Sequence, residues 1–418
     1  MSIKLKGSTD GSVTLQAPAD TSPTGTDKTF TLPTQDGTDG QVLATDGNGN
    51  LSFADDSDTI LESNRNLIIN GAQQVDQRGS GSSAIGTLTN GKYITDRWNV
   101  RGQDNTTGQC SQSTNAPAGF VNSLLIEVGG TATTTGAGGN RFIRHNIEGY
   151  VLRPLRWGTA GAKAATMSFW VKSNVTGTYS FCFFSGALNQ HYATTYSINS
   201  TNTWEYKTIS VPGPTSGSFY TENQLALYCQ WDLGSGSNFQ TSNLNQWASG
   251  DKRFASGRVD LFNNANAHLR ITGVQFEAGS TATQFEHRSY ADELIRCQRY
   301  YETTYLSGYS EGHNFNESYP FSTSHPIAFN FIASDDAVAA QSYTFQVSKR
   351  NNPTVRIFSA KDGATNQALT YKATGGSNVN HGISVVNTSP THVMLGTFLG
   401  ATGQANESYL HLVAESEL

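Results

Sequence analysis

Two stretches, Met167-Ser-Phe-Trp-Val-Lys172 and Gln224-Leu-Ala-Leu-Tyr-Cys-Gln-Trp231, decide the fold class. In each stretch every second residue is apolar, which is the pattern of a strand that buries one face. The residues that share these faces are Met167, Phe169 and Val171 in the first stretch, and Leu225, Leu227, Cys229 and Trp231 in the second. Such a two-residue period does not fit a helix. Both stretches therefore predict β-strands.

Similar patterns recur along most of the chain. Gly/Ser/Asn/Thr stretches separate them and predict surface loops. Composition agrees, since 42 of 418 residues are Gly and only 14% are charged, while 17 Tyr, 21 Phe and 6 Trp can fill packed cores. We therefore expect an all-β protein, with a jelly roll or β-sandwich over residues 66–288. The other predicted strands are Leu67–Ile69, Ser123–Val128, Tyr179–Phe184, Trp204–Val211, His268–Phe276, Ser342–Val347, Thr354–Phe358, His392–Phe398 and Tyr409–Val413.

Several functions are disfavoured by the bulk properties. The formal net charge is −6 and no basic run is present, so nucleic-acid binding has no support. No apolar window of about 18 residues predicts a membrane span. The amino terminus lacks the apolar core of a secretory signal, so we expect the chain to assemble in a cytoplasm. The four cysteines are scattered, which predicts buried free thiols, with a Cys182–Cys229 disulfide as the alternative, and no metal site or cofactor.

Residues 1–65 are polar and contain few large apolar residues. Val42-Leu43 and Leu51–Phe53 flank Asp46-Gly-Asn-Gly49, which predicts a hairpin because Asp-Gly and Asn-Gly tolerate the positive φ of tight turns. So little apolar material cannot stabilise a monomeric fold. We expect three chains to intertwine here, and the alternative is a flexible tail. The residues that would be shared around the axis are Val13, Leu15, Phe30, Leu32, Val42 and Leu51.

Residues 289–302 predict one connecting helix, which Ser289 caps and which carries Asp292 and Glu293 in its first turn. A further helical turn is weakly indicated at Ile60 and Leu61. Beyond the connecting helix, residues 303–418 return to β patterning and predict a C-terminal β-sandwich head. The helical stripe consists of Tyr290, Leu294, Cys297 and Tyr301. Its last three residues predict buried packing, and in a trimer they would line the axis.

Two segments resemble known families. Asn66-Leu-Ile-Ile-Asn-Gly71, followed by Asp96-Arg-Trp98, resembles the opening of jelly-roll carbohydrate-binding modules, although Ala72-Gln-Gln74 departs from their pattern and puts a metal site in doubt. Val274-Gln-Phe-Glu-Ala-Gly-Ser-Thr-Ala-Thr-Gln-Phe-Glu-His-Arg288, continuing through Ala291-Asp-Glu-Leu-Ile-Arg-Cys-Gln-Arg-Tyr-Tyr301, resembles a block of bacteriophage tail-fibre and tailspike-like proteins. Residues 40–53 and 414–418 resemble other fibre segments.

The fibre resemblance implies a homotrimeric virion protein. Residues 1–65 would bind other tail or baseplate proteins, and residues 303–418 would bind a host surface polysaccharide. No membrane insertion is implied. Attachment without catalysis is the main hypothesis. The alternatives are a structural virion fibre without a receptor and a polysaccharide depolymerase.

Three sets of residues combine aromatic rings with hydrogen-bonding groups, as sugar binding requires. The first is Tyr93, Asp96, Arg97 and Trp98, for which a core role is favoured. The second is Trp231 and Asp232 with Gln230, Asn238 and Gln240. The third, which opens the C-terminal region, is favoured as the binding site and consists of Tyr305, Tyr309, His313, Phe315 and Tyr319, with His325 beyond.

Catalysis has weaker support. A depolymerase needs two carboxylates held about 5–9 Å apart, and the spacing of the acidic residues indicates no such pair. A Gly-x-Ser-x-Gly sequence occurs once, as Gly308-Tyr-Ser-Glu-Gly312, but it does not lie between a predicted strand and a predicted helix, as a nucleophile elbow does. We therefore predict no catalytic residues. The carboxylates weighed for the role, and interpreted as loop or strand-end charges, are Asp232, Asp251, Asp260 and Glu277.

Overall fold

A computed structural model describes residues 2–6, 12–16, 29–37, 41–45, 50–55, 64–79, 91–102, 108–306, 308–315, 326–331, 338–371, 379–398 and 406–418. The chain forms two compact units, residues 1–63 and residues 64–418. Nearly all regular structure is β, as the alternating patterns predict. The α-helices of the described residues are α1, Gly149–Leu152, and α2, Tyr290–Gln298. None of the described helices has the length and hydropathy of a membrane span.

The first unit contains two antiparallel hairpins among its described residues. They pair β1 (Ser2–Lys6) with β2 (Ser12–Gln16), and β3 (Gln41–Thr45) with β4 (Leu51–Asp55). The second pair confirms the predicted hairpin. Phe30 and Leu32 are 63% and 69% exposed in the single chain. The predicted turn at Ile60 and Leu61 lies outside the described residues, and so do the side chains of Val13, Leu15 and Val42.

The second unit begins with a sandwich. Its described strands are β5 (Lys92–Tyr93), β6 (Trp98–Gly102), β7 (Gly108–Ser113), β8 (Ser123–Val128), β9 (Arg141–Glu148), β10 (Ala165–Ser173), β11 (Gly177–Ser185), β12 (Gln190–Ile198), β13 (Glu205–Val211), β14 (Leu225–Asp232), β15 (Gln240–Thr241), β16 (Trp247–Ser249), β17 (Phe254–Ala255) and β18 (His268–Ala278). Five form a sheet in the order β13-β10-β18-β8-β7, and seven form a sheet in the order β16-β12-β11-β14-β9-β6-β5. One large apolar core lies between the two sheets.

Alternation explains most of this core. The predicted inward residues of β10, Met167, Phe169 and Val171, are all fully buried. In β14 a register shift between Leu225 and Leu227 leaves Leu225 half-buried, while Ala226 and Leu227 both join the core. The predicted strand Leu67–Ile69 is wrong, because that segment has no strand geometry. Its Leu67 amide donates to the Phe276 carbonyl at 2.8 Å, and Ile68 is buried against the sandwich.

Helix α2 follows the sandwich. The Ser289 hydroxyl accepts from the Asp292 amide at 3.1 Å, so the predicted cap is confirmed. The helix ends earlier than predicted, and Tyr301 lies in the next strand. Of the predicted stripe, Cys297 is fully buried, whereas Tyr290 is 49% exposed.

The C-terminal region is again β. Its described strands are β19 (Tyr301–Thr303), β20 (Ile327–Phe331), β21 (Val338–Thr344), β22 (Thr354–Ser359), β23 (Gln367–Tyr371), β24 (Val379–Gly382), β25 (Ser384–Thr388), β26 (His392–Phe398) and β27 (Asn406–Glu415). The long strand β27 organises a six-stranded sheet by pairing with β19, β20, β22 and β23. A three-stranded sheet, β21-β26-β25, packs with it around a second apolar core.

Candidate functional site

Four of the residues predicted for the C-terminal binding site lie together. Tyr309, His313 and Phe315 form a triangle of rings with centroids 4.7–4.8 Å apart, and Tyr305 stacks beside Phe315 at 6.1 Å. Tyr305 is only 6% exposed, whereas the other three are half-buried. We call these four residues and His411 the terminal aromatic cluster. The predicted members Tyr319 and His325 lie outside the described residues.

The base of this cluster is rigid. The His411 ring of β27 stacks on Tyr305 at 4.2 Å, and the Gly312 amide donates to the Tyr305 hydroxyl at 3.1 Å. The rim is charged, because Arg356 bonds Glu311 at 2.7 Å and Glu415 at 2.8 Å. An apolar surface with charged neighbours suits a sugar ring, whose faces are apolar and whose edges are hydroxylated.

The buried histidine predicts a pH dependence of stability. Desolvation by burial lowers the pKa of His411 to about 4, against an ordinary value of 6.5. The unfolded chain therefore takes up this proton first, and stability falls as the pH drops from about 6.5 to 4. The loss of unfolding free energy between pH 7.5 and pH 4 should be smaller in His411→Gln than in the wild type, by on the order of 2–3 kcal/mol. Urea denaturation across this pH range measures the difference. An unchanged slope in the variant would contradict this assignment.

The structure corrects the second predicted set. Trp231 is fully buried, with ring centroids 4.8 Å from Phe181 and 5.5 Å from Trp98, so it contacts core side chains and no ligand. Asp232 is buried too, and it forms an ion pair with Arg258. Alternation assigned Trp231 to one face of β14, but it did not show that a second sheet covers that face. Gln230 is buried as well, whereas Asn238 is exposed.

In the first predicted set, Trp98 and Arg97 have the core role that the sequence favoured. Trp98 is fully buried and its indole N–H donates to the Asn70 carbonyl at 2.9 Å. Arg97 forms a buried ion pair with Glu417, and its guanidinium lies 3.5 Å from the centre of the Tyr300 ring. These contacts join the sandwich to the C-terminal region.

Asp96 belongs to the same buried junction. Burial raises its pKa to about 7, although Arg78 and the Gln77 amide, which donates to the carboxylate at 2.7 Å, oppose the shift. The aspartate thus sits inside the protein among structural partners.

The other carboxylates weighed for catalysis have structural partners. Asp260 accepts from the Phe262 amide at 3.1 Å and caps a short turn. Glu277 is buried and accepts from the Thr283 hydroxyl at 2.6 Å, and Asp251 pairs with Arg253 at 2.6 Å. The four cysteines are buried free thiols. Across the part of the chain that the structure describes, no three His, Cys, Asp or Glu side chains cluster as metal ligands would.

A surface that the sequence did not reveal lies on the solvent side of the five-stranded sheet. Trp170 of β10 pairs across the strands with Tyr206 of β13, with ring centroids 5.3 Å apart. Phe120, Phe285 and His287 form a triangle of rings, with centroids 4.9–5.3 Å apart. Tyr206 is 43% exposed, and His287 is exposed as well. We call these five residues the sheet aromatic strip.

Gly273 lies beside both halves of this strip. A Cβ at this position would lie 2.6 Å from the Phe120 ring and 3.0 Å from the Trp170 ring, so only glycine lets both rings pack this closely against β18. Its φ of +58° also favours glycine. Polar groups lie alongside: the Asn115 side-chain oxygen accepts from the Trp204 indole at 3.3 Å and from Lys172 at 3.4 Å.

A signal for part of this strip is present in the sequence. In Met167–Lys172 the alternation that buries Phe169 places Trp170 on the opposite face, where a solvated strand normally carries a polar residue. In β13 the same alternation buries Ile209 and Val211 and places Tyr206 on the exposed face, whereas Phe120, Phe285 and His287 lie in loops. Their meeting depends on strand pairings that are remote in the sequence.

Comparison with known proteins gives weak resemblances. No family model and no curated protein matches the sequence. Among solved structures, the chain is similar to the enzymatically active domain of tailspike protein 4 of bacteriophage CBA120, with 12% identity, a TM-score of 0.27 and coverage of 52% of this chain and 22% of that one. It is also similar to a putative sugar-binding protein of Bacteroides thetaiotaomicron VPI-5482, with 12% identity, a TM-score of 0.29 and coverage of 51% and 100%.

A third similar structure is the family 11 carbohydrate-binding module of a cellulosomal cellulase of Clostridium thermocellum, with 12% identity, a TM-score of 0.24 and coverage of 50% and 100%. This chain spans about a fifth of the length of the tailspike. All three TM-scores lie far below 0.5. Function is therefore inferred from the chemistry of the described surfaces.

Proposed function

We propose that this protein is a non-catalytic glycan-binding protein that attaches a bacteriophage to its host, and that the sheet aromatic strip holds the glycan. The strip is the observation that carries the proposal. Its five rings form a cross-strand pair and a triangle, and the pairing of β10 with β13 fixes Trp170 and Tyr206. Rings held this way stack on the apolar faces of pyranoses at little entropic cost. The nearby Asn115 and Lys172 supply hydrogen bonds to hydroxyls.

The terminal aromatic cluster is the second proposed contact. It lies in residues 303–418, the part proposed to face the host. Tyr309 and Phe315 expose part of their rings beside Glu311 and Arg356, which supports sugar contact on the same chemical grounds. Tyr305 and His411 are too buried to touch a ligand, and they position the outer rings.

The attachment role rests on the fibre resemblance of residues 274–301, a block that also supplies Phe285 and His287 of the strip. We propose a homotrimer in the virion, joined to tail or baseplate proteins through residues 1–65. Phe30 and Leu32, highly exposed in the single chain, are suited to burial between subunits. Three weak sites on one trimer then bind by avidity.

The glycan site is tested by titrating purified host surface polysaccharide into the full-length protein. We expect the double variant Trp170→Ala/Tyr206→Ala to weaken binding at least about tenfold, because each stacked ring contributes on the order of 1 kcal/mol or more. Tyr290→Ala is the matched control, since Tyr290 is equally exposed and lies on helix α2. Unchanged binding by the folded double variant would refute the strip as the site. Tyr309→Ala in the same titration tests the terminal aromatic cluster.

The attachment role is tested by adding full-length protein to host cells before phage. We expect it to block adsorption, and the double variant to block less. If the protein binds no cells, it is a structural fibre. If it releases reducing sugar from host envelope, it is a depolymerase and the non-catalytic assignment is wrong.

A further inference from the structure

The sandwich also contains a cleft with the features of a separate binding site. Its residues are not those of the sheet aromatic strip. It has a volume of about 250 Å³ and lies between the segment that follows β9 and the loop that joins β13 to β14. We call it the arginine cleft, and its lining residues are Leu152, Arg153, Arg156, Trp157, Thr159, Phe219, Tyr220 and Thr221. We propose that the arginine cleft binds one anionic sugar ring, a pyranose that carries a carboxylate.

The floor of the cleft is apolar and fixed. Trp157 is 5% exposed and packs edge-on against Phe219 and Trp247, with centroids 5.7 and 5.3 Å away. Its indole N–H donates to the Lys163 carbonyl at 2.8 Å. Leu152, 2% exposed, completes this floor. Such a floor does not rearrange when a ligand binds, so it presents a preformed apolar surface to one face of a ring.

The rim is cationic and lacks anionic partners. The Arg153 guanidinium donates twice to the Thr221 carbonyl, at 3.0 and 2.7 Å, and lies 4.9 Å from the centre of the Tyr150 ring, which fixes its position. Arg156 has a left-handed φ of 54°. Within the described residues, no carboxylate comes within 4.0 Å of either guanidinium.

This charge arrangement selects an anion. Among the described residues, 11 of the 13 cation–anion pairs within 4.0 Å use arginine, but neither Arg153 nor Arg156 takes part in one. A guanidinium binds a carboxylate through two parallel hydrogen bonds, which a neutral sugar cannot form.

The volume of the arginine cleft and its aromatic side chains favour a single sugar ring as the ligand. The volume lies below the roughly 300 Å³ at which pockets for larger ligands begin, so a long chain does not fit inside. Tyr220 is 44% exposed at the rim and offers a face for stacking. A terminal or branching uronic acid meets all three features: an apolar face, hydroxyl edges and one carboxylate.

This inference deepens the proposed function and rests on it for the source of the sugar. It implies that the recognised surface polysaccharide contains a uronic acid. The arginine cleft and the sheet aromatic strip are formed by different residues, so the two proposals can fail separately. Loss of glucuronate binding in Arg156→Gln with normal binding in Trp170→Ala/Tyr206→Ala assigns the anionic ring to the cleft, whatever the strip binds.

The experiment is ligand-observed NMR titration of the full-length protein with D-glucuronate, D-glucose and acetate. We expect glucuronate to bind with a dissociation constant on the order of 1 mM, tighter than either other probe by about tenfold, and to weaken as salt rises. Arg156→Gln and Tyr220→Ala should each reduce glucuronate binding about five- to tenfold. Both side chains are exposed, so the fold should tolerate their loss.

Lys252→Gln, which removes one exposed positive charge elsewhere, is the control and should leave binding unchanged. The proposal is overturned if glucose binds as tightly as glucuronate, because charge then plays no part. It is equally overturned if acetate binds as tightly as glucuronate, because the cleft then recognises no sugar. The same conclusion follows if Arg156→Gln and Lys252→Gln change glucuronate affinity by the same factor.

Discussion

Replacing Trp231 with alanine should lower the free energy of unfolding by about 4 kcal/mol, the range typical of a large aromatic residue removed from a core. Trp231 is fully buried and contacts Trp98, Phe169 and Phe181, with ring centroids 4.8–5.7 Å away. These neighbours lie on strands of both sheets, so they cannot close together over the vacated volume. Urea denaturation followed by tryptophan fluorescence and far-UV circular dichroism measures the change.

Trp231→Phe provides the matched comparison. The Trp231 indole N–H has no hydrogen-bond partner among the described residues, so phenylalanine removes an unsatisfied donor along with part of the ring. We expect a cost of about 1–2 kcal/mol, well below that of alanine. Glycan affinity of the folded Trp231→Phe protein should equal that of the wild type. Reduced affinity at undiminished stability would restore Trp231 as a ligand contact.

Replacing Lys349 with methionine should destabilise the C-terminal region by about 3–5 kcal/mol, because it leaves the Glu302 carboxylate buried without its cation. Both side chains are at most 1% exposed, and the ammonium lies 2.5 Å from the carboxylate. Lys349 also donates to the Gln298 carbonyl at 2.6 Å, which ties the end of helix α2 to the turn after β21. Desolvation lowers the pKa of Lys349, and Glu302 opposes that shift. Thermal and urea denaturation measure the loss.

The double variant Lys349→Met/Glu302→Gln separates the two contributions. It also removes the unpaired negative charge of Glu302, so we expect it to recover a large part of the stability lost in Lys349→Met. Glu311→Gln is the exposed control: its pair with Arg356 is 44% and 33% exposed and should contribute only about 0–1 kcal/mol. Equal losses for Lys349→Met and Glu311→Gln would show that burial of the Lys349–Glu302 pair has no energetic consequence.

Local patterns account for much of the fold. The alternation in Met167–Lys172 predicted a strand and its buried face, and both are present in β10. The predicted hairpin is present as β3 and β4, and Ser289 caps helix α2. These features arise from neighbours within a few residues, where side-chain spacing, turn residues and capping act without help from the rest of the chain.

The sequence by itself determined the all-β class, most strand positions, the helix cap and the grouping of Tyr305, Tyr309, His313 and Phe315 into one aromatic segment. Only the tertiary structure decided that Trp231 is covered by a second sheet while Trp170 faces outward, because alternation separates the two faces of a strand without saying what covers either. It also decided the sheet aromatic strip and the arginine cleft. Their residues lie up to 167 and 69 positions apart, and pairing between distant strands brings them together.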